Sequence, residues 1–262
     1  MPTRNAGHAR ATAGVRCRPR PDGSLYTDFV STLTRCRQAE IMDSPHLDER
    51  RHRRALDALE RINWISRSAA QIWADIRRVL SAGASRPLRV LDIACGGGDV
   101  LLALEAAARR GGVDLSVRGC DISPVAVARA RERAEKVNSA ARFFRLDALR
   151  EPLPDDADVI YNTLFLHHLK DTDAIVLLGL MADAARRMIV VQDLRRSRVG
   201  YVLAYLGVRA LTCSRVARVD GPLSVRAAFT PAEAVDLARR AGLDAEVRHL
   251  WPHRYSLTWA RA

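Results

Sequence analysis

The chain has 262 residues, 48% of them hydrophobic and 27% charged, with a formal net charge of +12. That is enough apolar material for one sizeable core, and no run of about 18 uncharged apolar residues exists that could cross a membrane as a helix. The positive balance raises nucleic acid as a partner, but every basic residue except Lys136 and Lys170 is an arginine, and the arginines are scattered along the chain. This pattern reads as compositional bias on a solvated surface and argues against a nucleic-acid partner.

Residues 1–40 hold seven arginines, few large apolar residues and several prolines and glycines. They read as a basic, disordered tail without the apolar stretch of a secretory signal, and whether they belong to the mature protein is not legible. From 41 to 84 the pattern changes to a helical cap. Leu56, Leu59, Ile62, Ile65, Ile72, Ile76 and Val79 recur at three- and four-residue steps, which predicts two helices, with Ser44–Asp48 as a start signal and 81–87 as a linker.

From residue 85 to 262 strands and helices alternate. Strands are predicted at 88–94, 115–122, 141–148, 157–166 and 187–194. Helices are predicted after the first strand to about 110, over 123–138 behind Ser123-Pro124, and near 171–185. The end of the chain predicts a helix over 230–243, from Thr230-Pro231 to Gly242, and two strands within 244–260 around Trp251-Pro252-His253. Alternation of this kind specifies an α/β domain with a doubly wound, mostly parallel sheet. The five cysteines (Cys17, Cys36, Cys95, Cys120, Cys213) are dispersed, odd in number and lack a C-x-x-C pair. Neither a disulfide framework nor a metal site is expected, and a reducing, cytoplasmic location is.

The first strand ends in Asp92-Ile93-Ala94-Cys95-Gly96-Gly97-Gly98-Asp99. Glycines at the carboxyl end of a first strand let a ligand approach the backbone, and the next helix points its amino end at the same place. A dinucleotide fingerprint needs a third glycine at 101, where Leu101 stands, so that reading fails at a required position. Instead there is an acid early on the strand, Asp92, a second closing the next strand, Asp121 followed by Ile122, and a third after the following strand, Asp147 beside Ala148.

With these residues in place the chain resembles the class I S-adenosylmethionine-dependent methyltransferases over about residues 85–255, and within them bacterial enzymes acting on quinone, phenolic or polyketide-derived acceptors. The resemblance implies a seven-stranded Rossmann-like sheet and S-adenosylmethionine as cofactor. Its first motif falls on Asp92, Ala94, Cys95, Gly96 and Gly98, with Ala94 where the family's first glycine usually stands. Its ribose acid falls on Asp121, its adenine-side acid on Asp147, and its fourth-strand motif on the backbone around Asn162. A base is expected at His167 or His168, since an imidazole after the fourth strand lies where such a sheet opens, and a substrate contact at Asp193. The apolar stretch 199–229 predicts a lid over the acceptor, with Tyr201, Tyr205, Arg226 and Phe229 facing it and Trp64 and Trp73 contributing from the cap. The acceptor itself is a small molecule, aromatic or quinone-like, with oxygen favoured over carbon. An RNA or protein methyltransferase is the alternative, and a non-catalytic cofactor binder the third. Oligomeric state is not legible.

Overall fold

A computed structural model describes residues 33–44, 46–79 and 87–261; most of the expected tail lies outside them. Two helices open the described chain, α1 (Glu49–Ile65) and α2 (Ser68–Val79). Asp48 caps α1 by accepting from the Arg51 N–H at 3.0 Å, which satisfies one of the free amides of the first turn. The helical stripe buries Leu56, Ile72, Ile76 and Trp73, whereas Trp64 is exposed. Trp73 is therefore a core residue and Trp64 a surface one.

The alternation that follows gives β1 (Leu88–Ile93), α3 (Asp99–Arg110), β2 (Leu115–Asp121), α4 (Pro124–Lys136), β3 (Arg142–Arg145), β4 (Val159–Thr163), α5 (Asp171–Ala184) and β5 (Met188–Leu194). After β5 come α6 (Arg198–Leu211), α7 (Arg215–Ala227), α8 (Pro231–Arg240), β6 (Glu246–Leu250) and β7 (Arg254–Ala260). The seven strands lie in the order β3-β2-β1-β4-β5-β7-β6. Strands β1 to β5 run parallel, and β7 pairs antiparallel with both β5 and β6. This is the doubly wound sheet that the alternation predicted. Two signals read in the sequence act as capping devices. Ser123 accepts from Ala126 ahead of Pro124, and Thr230 forms a reciprocal capping box with Glu233 ahead of Pro231.

Each sheet face carries its own core. Leu91, Ile93, Ile160, Ile189 and Val191 pack with α5 and α8, while Val90, Val117, Tyr161 and Val190 pack with α2, α3 and α4. Strand order reverses between β1 and β4, so the crevice of this sheet opens at their carboxyl ends. The predicted fourth strand is cut short there. Leu164 takes a left-handed conformation at φ 55, and Leu166–His168 forms a 3₁₀ turn. The segment predicted as a lid is the helix pair α6–α7, which packs on α1.

Residues 33–40, expected within the tail, lie against the domain instead. Arg35 donates from Nε to the Ala227 carbonyl at 2.7 Å and pairs with Asp171 at 2.9 Å. The Cys36 amide donates to the Arg226 carbonyl, and Ile41 and Met42 amides donate to the two oxygens of Asp220. Few apolar residues mark this strap because its attachment is polar, which is why composition alone read it as tail.

Candidate functional site

The glycine turn after β1 is held from below. Asp121, at the end of β2, accepts from the Gly96 amide at 2.9 Å through Oδ2 and from the Ser123 amide at 2.8 Å through Oδ1. One carboxylate thus fixes the turn and the start of α4, with lone pairs left on both oxygens. Burial pushes the Asp121 carboxyl above the usual range, and the two amides offset part of that. Gly98 stands at φ 73, where an added Cβ would lie 2.8 Å from the Phe143 ring, so only glycine fits. Ala94 adopts φ 55 without being glycine. That conformation costs an alanine about 1–2 kcal/mol, partly offset by glycine's larger chain entropy. Ala94→Gly should therefore raise the unfolding free energy by up to about 1 kcal/mol, read from the urea midpoint.

Beneath the turn, three polar atoms on one sheet face have no hydrogen-bond partner among the described residues. They are Asp92 Oδ1, Thr163 Oγ1 and Gln192 Oε1, near the carboxyl ends of β1, β4 and β5. Thr163 and Gln192 are register neighbours, and Asp92 pairs with Tyr161, two residues before Thr163. The Tyr161 hydroxyl donates to Asp92 Oδ2 at 2.9 Å. Burial pushes the Asp92 carboxyl well above the carboxylate range. Unsatisfied buried acceptors are costly, and these ones want a donor. A cationic donor would both pair with Asp92 Oδ1 and hold the carboxylate charged. Gln192 was not anticipated, although a glutamine inside the apolar run Met-Ile-Val-Val-Gln is a visible signal.

Other predicted contacts divide. Ile122 is 57% exposed directly after Asp121, an apolar side chain without an apolar cover. Ala148 is buried nearby, while Asp147 accepts from the Leu149 amide and pairs with Arg150, so it closes a local turn as well. The Asn162 side chain donates from Nδ2 to Met181 Sδ at 3.3 Å, and its Oδ1 has no hydrogen-bond partner among the described residues. Cys95 is buried, with its thiol pushed well up by burial.

The 3₁₀ turn after β4 carries a second polar cluster. His167 Nδ1 lies 2.7 Å from Asp193 Oδ1, and its Nε2 lies 3.6 Å from Glu40 Oε1. His168 Nδ1 lies 2.8 Å from Asp43 Oδ2, and its Nε2 lies 3.9 Å from Glu40 Oε2. Ser224 donates to Glu40 Oε1 at 2.6 Å. Burial acts against a charge on His167, but Asp193 and Glu40 outweigh it and raise its pKa to about 10. Both carboxylates thus favour the protonated form of the His167 ring. Asp193, expected to touch substrate, is fully buried behind His167 and accepts from the His167 and Leu194 amides. Glu40 and Asp43 were missed, because they sit at the edge of the apparent tail with no periodic pattern around them.

The predicted lid contacts mostly fall elsewhere. Phe229 is buried in the α5–α8 core beneath the Arg35 guanidinium, 3.7 Å from its ring. Tyr205 faces outward, stacked by Arg209 at 3.4 Å. Tyr201 and Arg226 are half-buried. An apolar run does not say which of its faces points inward, and in α6 the residues Val202, Leu203 and Leu206 are exposed.

Residues 90–187 match a family model described as a methyltransferase domain. Curated relatives include ubiquinone biosynthesis O-methyltransferases from Pseudomonas entomophila (strain L48), 29% identical over 149 residues, and Pseudomonas putida (strain W619), 30% identical over the same length. Each match covers 56% of this chain and 56% of the relative, so the chain spans only about half the length of these relatives. A structure of a SAM dependent methyltransferase from Aquifex aeolicus superposes with a TM-score of 0.58 at 14% identity, covering 82% of this chain and all of that one. Magnesium protoporphyrin IX methyltransferase from Synechocystis PCC 6803, solved with bound SAH, superposes with a TM-score of 0.55 at 18% identity, covering 75% and 83%.

Proposed function

We propose that this chain is a class I S-adenosylmethionine-dependent methyltransferase that methylates an oxygen of a small, aromatic or quinone-like acceptor, a reading supported by the methyltransferase-domain match over residues 90–187. The observation that carries this reading is the set of unpartnered acceptors under the glycine turn, Asp92 Oδ1 with Thr163 Oγ1 and Gln192 Oε1. An amino-acid end with an ammonium and a carboxylate fits it: the ammonium completes Asp92, and the bare glycine backbone leaves room for the carboxylate. The free lone pairs of Asp121 would take two ribose hydroxyls, and Ile122 with its exposed side chain and Asp147 would hold the adenine. When bound, the cofactor supplies an electrophilic methyl group on a sulfonium.

The chain's own work is then alignment and removal of a proton. Placing an oxygen in line behind the methyl carbon, with water excluded, accounts for most of such a reaction. A hydroxyl acceptor must also lose its proton. The cluster formed by His167 and His168 after β4 with Glu40 from the strap is the polar group we assign to that step, and His168 is its partly exposed member. The curated relatives, named for O-methylation in ubiquinone biosynthesis, support oxygen and a quinone-like ring.

Two measurements test this. Calorimetric titration with S-adenosylmethionine should show one site per chain, and absence of binding sinks the reading. A screen with labelled cofactor over phenols, quinols and bulk RNA should label a phenol or quinol on oxygen. Label confined to RNA would favour the rival reading, and label on carbon would correct the acceptor atom.

A further inference from the structure

We propose that Glu40, His167 and His168 form a site for one divalent ion of the zinc class. The ligand atoms of the three residues lie within 4.8 Å of one another. Both imidazoles turn Nε2 towards the same carboxylate, at 3.6 and 3.9 Å. Metal bonds of about 2.0–2.2 Å in a tetrahedron place ligand atoms about 3.3 Å apart, so closing on an ion needs only modest movement.

What singles the cluster out is its outer layer. Metal-binding imidazoles almost always engage a carboxylate or carbonyl through the ring nitrogen that does not touch the metal, which fixes the ring and raises its basicity. Here both do so: His167 Nδ1 on Asp193 at 2.7 Å and His168 Nδ1 on Asp43 at 2.8 Å. The carboxylate is oriented as well, by Ser224 at 2.6 Å. Three carboxylates around two imidazoles leave a surplus of negative charge that a divalent ion would neutralise, displacing to solvent the Nε2 proton that His167 otherwise holds. Two imidazoles and one carboxylate favour zinc-class ions over magnesium or calcium, which prefer all-oxygen sites. Three protein ligands also leave a fourth position for a small molecule. His168 is partly exposed, which gives an ion a route in.

An ion held there by Glu40, His167 and His168 would acidify a hydroxyl bound at its open position. The proton leaves to solvent, and the oxygen is left with the electron pair that a methyl acceptor needs. This use rests on the methyl-transfer reading; the ion site does not.

The full chain, stripped with a chelator and desalted, would be titrated with zinc(II) by calorimetry and with cobalt(II) by visible absorption. One ion per chain is expected at this site, with cobalt d–d bands of low-coordinate geometry. Asp43→Asn, an exposed change, should weaken zinc binding by about 10–100-fold, and Glu40→Gln should weaken it at least as much. No uptake by wild type, or wild-type isotherms in both variants, overturns the site. If Glu40→Gln fails to fold by circular dichroism, Asp43→Asn alone decides. S-adenosylmethionine is titrated into the same samples. Ion uptake without cofactor binding would sink only the methyl-transfer reading, and cofactor binding without ion uptake only this one.

Discussion

Asp121→Ala should lower affinity for S-adenosylmethionine by at least about 100-fold, or abolish it. Two effects act together. A carboxylate accepting from two ribose hydroxyls makes charge-assisted bonds of about 1.5–3 kcal/mol each, and every 1.4 kcal/mol is about tenfold in affinity. The same carboxylate also holds the Gly96 amide at 2.9 Å and the Ser123 amide at 2.8 Å, so its loss frees the turn proposed to receive the cofactor. Calorimetry of variant and wild type measures this. Asp121→Asn should retain part of the turn, since its carbonyl oxygen can still accept from one of the two amides, and should bind more tightly than Asp121→Ala. Wild-type affinity in Asp121→Ala would remove Asp121 from the site altogether.

Asp193→Asn should destabilise the ion-free protein by about 3–5 kcal/mol near pH 6, the usual cost of breaking a buried charged pair. The cost should shrink as the pH rises. His167 has its pKa raised to about 10 in the folded chain by Asp193 and Glu40, against about 6.5 for an unperturbed imidazole. A raised imidazole stabilises fully below the unfolded value, and its contribution is lost as pH climbs from about 6.5 through 10. Asp193, held below the carboxylate range in part by His167, adds stability above the ordinary carboxylate pKa that is lost as pH falls through its own lowered one. Urea unfolding in chelator across pH 5 to 10 would read the alkaline limb, and points below about pH 4 the acid one. Wild type should lose on the order of a few kcal/mol between about pH 6.5 and 10, and Asp193→Asn much less. Parallel curves would mean that this pair is not coupled as the geometry has it.

This behaviour also bears on how acceptors are activated. A histidine locked between two carboxylates is a poor base at neutral pH, and the pair of histidines after β4 was expected to supply the base. In the folded chain His167 is one member of a cluster with Glu40 and His168, the group proposed to serve acceptor activation.

Much of the fold was legible because it is repetitive and local. Each parallel strand is a short apolar run, each helix begins at a readable cap such as Ser123-Pro124 or Thr230-Pro231, and their alternation leaves few topologies. The turn was legible for a related reason. Gly96, Gly98 and Asp121 are required by backbone conformation and by one carboxylate clamp, both set within a single β-α-β unit. The errors concern orientation. Phe229 and Tyr205 are apolar residues in an apolar stretch, and only packing decided that one enters the core and the other faces outward. Asp193 ends a strand, and only the position of His167 decided that it would be buried.

The sequence by itself therefore determined the sheet, the place of its crevice and the glycine turn, because those follow from propensity, capping and short-range steric need. Only the tertiary structure decided the second cluster. Its members come from a strap at Glu40 and Asp43, a turn at His167 and His168, the end of β5 at Asp193 and α7 at Ser224. No local pattern links them. They meet because α7 and the β4 turn bring the strap across the mouth of the sheet, and long-range closure of this kind leaves no periodic trace in the chain.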